Sequence, residues 1–458
     1  MLYKVQKYFN NFILQEECCL MAKKEKKALE KKNWSNSFML IGEAKINEYT
    51  YKTDEKSEKS DWIYNSLNLG VYCGETCGTV YAELMGGYGA ERDNVVYVHG
   101  RGEDGKDDFD NKFTIDWDDR FDETILESVG DLCFIKVGLE KDKNGKTFEK
   151  KFISPYDVIA YVKENLEDGM IVNVKGNLKY STYNETTQVK KEINSIFLSK
   201  ADTIRVKIKE LEDSIEKISA KDNLSQIEHN NLKKKTEELS KAEEEFDKTY
   251  NQMARFTQTM LLTKDSVGKA DKDTGVLPIY AKVLDYVKEY KGKEVKTNIP
   301  YDKAFEYELN LSDPATSQNV VEKVFKVQKG VTEVTFEGDL IEGGAVVTAT
   351  EDDIPDDIKT LIEIGVYTLE EALAKCTVSS GREKRMVIRK PSIKMVEDKD
   401  GNKTPVIQKF EKKYDEEDLI LDFMIGDNDD SGDISEETTE TEDEEAPANN
   451  DSSWLDNL

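Results

Sequence analysis

The chain has 458 residues, of which 38% are hydrophobic, and carries a net charge of −29 with only two histidines. That length calls for two or three domains and that apolar content can build their cores, so a wholly disordered chain is excluded. No stretch approaches the roughly 20 uninterrupted apolar residues of a membrane-spanning helix, and no small-residue cleavage site follows an apolar N-terminal core, so a cytoplasmic protein is expected.

With His99 and His229 as the sole imidazoles, most hydrolytic and proton-transfer chemistry lacks its usual general base near neutral pH. The sequence has no phosphate-cradling Walker loop, no G-x-G-x-x-G and no nucleophile elbow. Neither enzymatic activity nor a cofactor is expected. Six cysteines are scattered, and only Cys73 and Cys77 sit close together, in the turn-like GETCG of residues 74–78. A zinc site would need two more ligands at matching spacing, so reduced cysteines beside a tight turn are the expectation.

Residues 1–35 form a leader and a basic arm. Gln15-Glu16-Glu17 can be encoded by a bacterial ribosome-binding sequence a short way before Met21, after which lysine dominates. Translation is therefore expected to start at Met21, with a short amphipathic N-terminal helix as the alternative.

From 36 to 200 the pattern is short β-runs between turn signals: FMLIGEAKINEY, WIYNSLNLGVYC, GTVYAELM, VVYVHG, KFTIDW and LCFIKVG. HGRGEDGKDDFDNK reads as an exposed hairpin loop. SPYDVIAYVKENLEDG differs: Ser154 suits an N-cap, Pro155 the first helical position and Asp157 a capping box. Val158, Ile159, Val162 and Leu166 line one face before Gly169 stops the helix. Two more strands, GMIVNVKGNLKYSTYNETTQVKKEINSIFL, close the segment. Strands, one helix between the third and fourth, then two strands is the order of an OB-fold barrel.

Residues 201–255 change period. Ile204, Ile208, Leu211, Ile215 and Ile218 are spaced as on a helix, KDNL interrupts, and Ser225 with Glu228 opens a second helix through Leu232, Leu239 and Phe246. The break favours an antiparallel helical hairpin over a parallel coiled-coil dimer. In 256–414 the β-runs return, with a helix expected from Pro355 to Lys375. VTFEGDL at 334–340 echoes VNVKGNL at 172–178. A second OB-like barrel is expected, with the echo lying ahead of its helix rather than behind it. The fold class is thus mainly β with α insertion: two barrels flanking a helical hairpin. Residues 415–458 hold 18 Asp and Glu and no Lys or Arg, most of the net charge, and end in DSSWLDNL. Such a run repels itself and is expected to be disordered.

On the first barrel's final hairpin, Val172, Val174, Leu178 and Tyr180 share one face while Lys175 and Lys179 project from the other. Gly176 falls where a barrel strand bends or bulges. Tyr183 lies at the tip, and Lys190 and Lys191 begin the return. Tyr64 and Tyr72 alternate with Ile63, Leu69 and Val71, and Tyr81 extends their stripe. Amines for phosphates beside rings for bases are what single-strand binding requires. Tyr180 joins this set if a bulge turns it outward. Arg382, Lys384, Arg385, Arg389 and Lys390 form a further basic cluster in the second barrel.

The hairpin resembles the helix, strand and hairpin section of single-stranded-DNA-binding proteins, where V-x-V-x-G-x-L precedes a basic, aromatic hairpin, and an acidic tail with an apolar tip is a second likeness. With SNSFMLIGEAKINEY and ELMGGYGAERDNVVYVHG, the chain resembles the large single-stranded-DNA-binding proteins of phages infecting Gram-positive hosts. The resemblance implies a protein that coats single strands in replication, recombination or repair. It also implies recruitment of partners through the tail, with Trp454, Leu455 and Leu458 as the candidate contacts. The cellular family's tail ends instead in proline and phenylalanine after aspartates. The rival reading is a structural or assembly protein using barrels and helical hairpin for protein contacts.

Overall fold

The computed structural model describes residues 34–141, 147–183, 186–221, 225–272, 274–290, 293–343, 354, 358–359, 362, 368–369, 383–397, 403–414 and 416–419. In chain order the first half runs β1 (Asn36–Lys45), β2 (Tyr51–Lys56), β3 (Trp62–Tyr72), β4 (Thr79–Gly89), β5 (Val95–Arg101), β6 (Asp107–Asp116), β7 (Ile135–Gly138), β8 (Lys150–Phe152), α1 (Pro155–Asn165), β9 (Ile171–Tyr183) and β10 (Thr186–Leu198). The helices α2 (Lys200–Ser219) and α3 (Gln226–Thr249) follow. The second half runs β11 (Met253–Leu262), β12 (Val276–Tyr290), β13 (Lys293–Glu308), α4 (Pro314–Val320), β14 (Val331–Gly343), β15 (Glu383–Pro391), β16 (Ile393–Glu397), β17 (Lys403–Ile407) and β18 (Lys409–Tyr414).

Five strands close the first barrel. β1 pairs with β3 and β9, β3 with β4, β4 in parallel with β10, and β10 with β9. Leu67, Leu69, Val71, Val80, Ala82 and Leu84 point inward and are buried. α1 lies between the third and fourth barrel strands and buries Val158, Ile159, Tyr161 and Val162. Ser154 caps α1 without a side-chain bond, and Asp157 pairs with Arg120 instead of closing a capping box.

The second barrel repeats this circuit. β11 pairs with β12 and β14, β12 with β13, β13 in parallel with β15, and β15 with β14. Among the described residues the helix between its third and fourth strands is α4, ahead of β14, so the echo follows a helix, as in the first barrel. α4 starts at the N-cap Asp313, which accepts from the Thr316 N–H, with Pro314 behind it. It then runs on to the buried Val324 and Phe325. The β-branched run Val320, Val321, Val324 hid it, because such residues read as strand. The expected helix over 355–375 falls almost wholly outside the described residues.

The echoed glycines explain the repeat. A Cβ on Gly176 would lie 1.8 Å from the Glu192 carbonyl oxygen and 2.7 Å from the Phe38 ring. On Gly338 it would lie 2.2 Å from the Val387 carbonyl oxygen and 2.6 Å from the Phe256 ring. In each barrel, therefore, a phenylalanine of the first strand packs over a glycine of the fourth, and the fifth strand bulges nearby, at Ile193/Ser195 and between the partners of Glu337 and Gly338. β1 and β11 pair antiparallel with Phe38 opposite Phe256, which relates the barrels by an approximate two-fold axis and joins them in one sheet.

Two expectations change. VVYVHG and KFTIDW are not barrel strands: as β5 and β6 they form a separate two-stranded sheet over a small core of Val98, Ile115, Val129 and Ile153. The second concerns the head of the expected tail, where Glu416–Leu419 form a turn of 3-10 helix and Leu419 is buried with Leu261, Leu284 and Val331; the rest of 415–458 lies outside the described residues. α2 and α3 pack as a helical hairpin, with the Ser225/Glu228 capping box formed and Leu211 and Ala242 buried. GETCG is a tight turn with Gly74 and Gly78 at positive φ, and Cys73 and Cys77 are buried. No helix among the described residues is long and apolar enough to cross a membrane.

Candidate nucleic-acid interface

The β9–β10 hairpin sorts its side chains by parity. Lys175 and Tyr183 on β9 are exposed, as is Lys190 on β10, and Lys179 is partly so. Lys179 and Lys190 are directly opposite in the ladder. Like charges in that position repel, and the two ammonium groups turn to different carboxylates: Lys179 lies 3.6 Å from Asp285 of the second barrel and Lys190 lies 3.5 Å from Glu83 of β4. Among the described residues, no carboxylate pairs with Lys175.

The inward face departs from the expected site. Tyr180 is 4% exposed; its hydroxyl bonds Gln258 Oε1 at 2.9 Å and its ring stacks on Tyr301. The bulge falls at Ile193/Ser195, beyond Tyr180's pairing with Val189, so it leaves this ring inside. Lys191 is also buried, paired with the buried Glu342 at the end of β14. Glu342 accepts the Tyr81 backbone N–H at 3.2 Å, and its own backbone N–H donates to Cys77 O. Both residues hold the barrels together and offer no surface to a ligand. Asp285, which accepts the Tyr180 N–H at 3.0 Å, has its pKa raised by burial, offset in part by Lys179.

Tyr64, Tyr72 and Tyr81 all point out of the barrel, while Leu69 and Val71 are core, as alternation required. They do not form one stripe. Near the β9–β10 hairpin, Lys45 Nζ sits 5.7 Å from the Tyr72 ring centre, and Tyr81 lies flat over Gly70, where a Cβ would come within 3.2 Å of its ring. At the other end of β3, Tyr64 stacks on Trp62 with centroids 4.9 Å apart. Trp62 was missed by the sequence reading, though it begins the strand at the matching parity. Beside that end lies a second group of rings, Tyr88, Trp117 and Tyr156, with the Arg120 guanidinium 4.2 Å from the Trp117 ring. These come from three segments, and no sequence spacing links the three rings.

In the second barrel the basic cluster is already occupied. Arg385 Nε lies 2.7 Å from Glu306, Arg389 Nε lies 2.6 Å from Asp339, and Lys390 Nζ lies 3.2 Å from Glu337. Lys384 is exposed. Arg382, and with it Trp454, Leu455 and Leu458, lie outside the described residues. A phosphate on this wall would compete with carboxylates, whereas the β9–β10 wall has Lys175 uncommitted.

No family model and no curated protein matches the chain. Among solved structures, a deletion mutant of the single-stranded DNA binding protein from Thermus aquaticus is similar over 67% of this chain and 86% of that one, at 9% identity and a TM-score of 0.25.

Proposed function

We propose that this protein binds single-stranded DNA and performs no chemistry on it. The observation that carries the reading is the outward face of the β9–β10 hairpin. There Lys179 and Lys190 oppose each other, Lys175 is unpaired among the described residues, and Tyr183 is exposed at the tip, with the Tyr72 and Tyr81 rings on the adjoining wall. Phosphates relieve the repulsion between the two ammonium groups and release counterions from the strand, while exposed rings stack on bases of any identity. In the finer form of the proposal, the protein coats single strands during phage replication and recombination. Its acidic tail competes for the same lysines until a strand displaces it. The freed tip, with Trp454, Leu455 and Leu458, then recruits a replication or recombination partner.

Gel retardation and intrinsic Trp and Tyr fluorescence with oligo-dT, against duplex of equal length, test this. Retardation of the single strand with a minimum length and steep salt dependence is expected. No retardation in dilute buffer would overturn the proposal and leave the barrels as a protein-assembly scaffold.

A further inference from the structure

Three lysines lie on core-facing strand surfaces at the joint between the barrels. β13 and β15 run parallel, with Glu306 level with Val387 and Tyr307 with Ile388, so the same offset sets Lys303 level with Lys384. Side chains at one level of neighbouring strands share a face, and here it is the inner one. Lys303 stands between the buried Tyr301 and Phe305, and Lys384 precedes the buried Met386 and Ile388 at the same parity. Lys191 reaches the joint from the first barrel, on the buried face of β10 that also carries Ile193. Arg385 and Arg389 stand at the opposite parity of β15, held by Glu306 and Asp339, so the three lysines are a separate group from that occupied wall.

Their charges do not balance. Glu342, opposite Lys384 in the β14–β15 ladder, pairs with Lys191. Among the described residues neither Lys303 nor Lys384 makes an ion pair. Three ammonium groups thus share one carboxylate. Lys384 is exposed and Lys303 half-buried, so a solute can reach these two while Lys191 stays inside. Burial first, and then the Lys191 and Lys384 charges, lower the Lys303 pKa from its ordinary value. Like charges with little water around them repel more strongly than in bulk solvent, and an anion placed between them removes that cost.

We propose that Lys303 and Lys384 form an anion site for a phosphodiester group of the bound single strand, at which the strand crosses from the first barrel to the second. The site deepens the strand-binding reading above and rests on it. Ammonium groups meet a phosphate as point charges, without the fixed fork that an arginine would impose, which suits a backbone of any sequence. The joint adjoins the wall. Tyr81, one of the rings there, donates its backbone N–H to Glu342 at 3.2 Å, and Lys190, next in sequence to Lys191, is exposed on the wall itself. The strand therefore leaves the wall beside Tyr81 and meets Lys384 and Lys303 next, where the second barrel begins.

The test titrates the full chain with two thymidine homopolymers, one of about 8 nucleotides, within the reach of one barrel, and one of about 30, enough for both. Between about 50 and about 200 mM salt, wild type should lose about seven-fold more affinity for the long homopolymer than Lys303→Gln with Lys384→Gln, and about the same affinity for the short one. Lys233→Gln with Lys241→Gln, which removes two exposed charges from α3, should behave as wild type on both. Acetylation of amines in the wild type, followed peptide by peptide in mass spectrometry, should show the long homopolymer protecting Lys303 and Lys384 as well as Lys175 and Lys190, and it decides the matter should the variant fail to fold. Protection of Lys175 and Lys190 alone, or a variant with the wild-type salt dependence on the long homopolymer, would overturn the site and leave the strand-binding reading standing. Protection by inorganic phosphate but not by the homopolymer would overturn it in favour of a free anion. A wild type that binds neither homopolymer would overturn both.

Discussion

Replacing Lys175 and Lys190 together by Gln tests the proposed wall without disturbing the joint between the barrels. Lys179 is spared because it faces the buried Asp285. Lys190 loses only its contact to Glu83, in which both side chains are well exposed; pairs of that kind contribute about 0–1 kcal/mol, so the variant should fold. Each phosphate contact to a single strand contributes about 0.7 to the slope of log affinity against log salt, so removing two lowers the slope by about 1.4. Between about 50 and about 200 mM salt, the wild type should then lose about seven-fold more affinity than the variant. Fluorescence titration with oligo-dT at the two salt concentrations measures both slopes. Equal slopes would refute the assignment of these lysines to phosphate contact, whatever the absolute affinities.

Breaking the buried pair by Lys191→Met should cost about 3–5 kcal/mol in urea unfolding, because Glu342 is left charged and unpaired; adding Glu342→Leu should recover most of it. Gly176→Ala and Gly338→Ala should each lower the melting temperature, by about 1–3 kcal/mol of stability or more, since the new methyl meets a carbonyl oxygen that belongs to the ladder. Lys136 and Lys151 hold Asp131 down at about 2, below its ordinary 3.8, so its contribution is present above the ordinary value and is lost as pH falls through about 2. Asp131→Asn should accordingly melt lower than wild type near neutrality, with the gap closing in thermal scans toward that acid limit. Deleting residues 421–458, a cut that spares the buried Leu419, should tighten oligo-dT binding at low salt, and unchanged affinity would count against competition by the tail.

Local pattern made much of this architecture legible. Alternation in WIYNSLNLGVY separates core from surface, the Ser225 and Glu228 spacing marks a helix start, and the V-x-x-x-G-x-L echo identifies equivalent strands in two barrels. These signals work because strand and helix periods are properties of a few consecutive residues. Local pattern misled where one segment allowed two structures. VVYVHG is a strand, but one that belongs to no barrel, and the helix after Pro314 carries a β-branched stretch that gave no helical signal.

What the sequence by itself determined is the repertoire: two β-rich units, a helical hairpin between them, an acidic end, and a hairpin with cations on one face and apolar groups on the other. Only the tertiary structure decided which of those groups remain available. Tyr180 and Lys191 face the second barrel and are consumed there, the arginines of β15 meet carboxylates from β13 and β14, and His99 meets a cysteine 34 residues away. Charge and aromaticity are written in the residue, but solvation and pairing depend on what the chain brings back from far along its length, and those set whether an ammonium group can meet a phosphate.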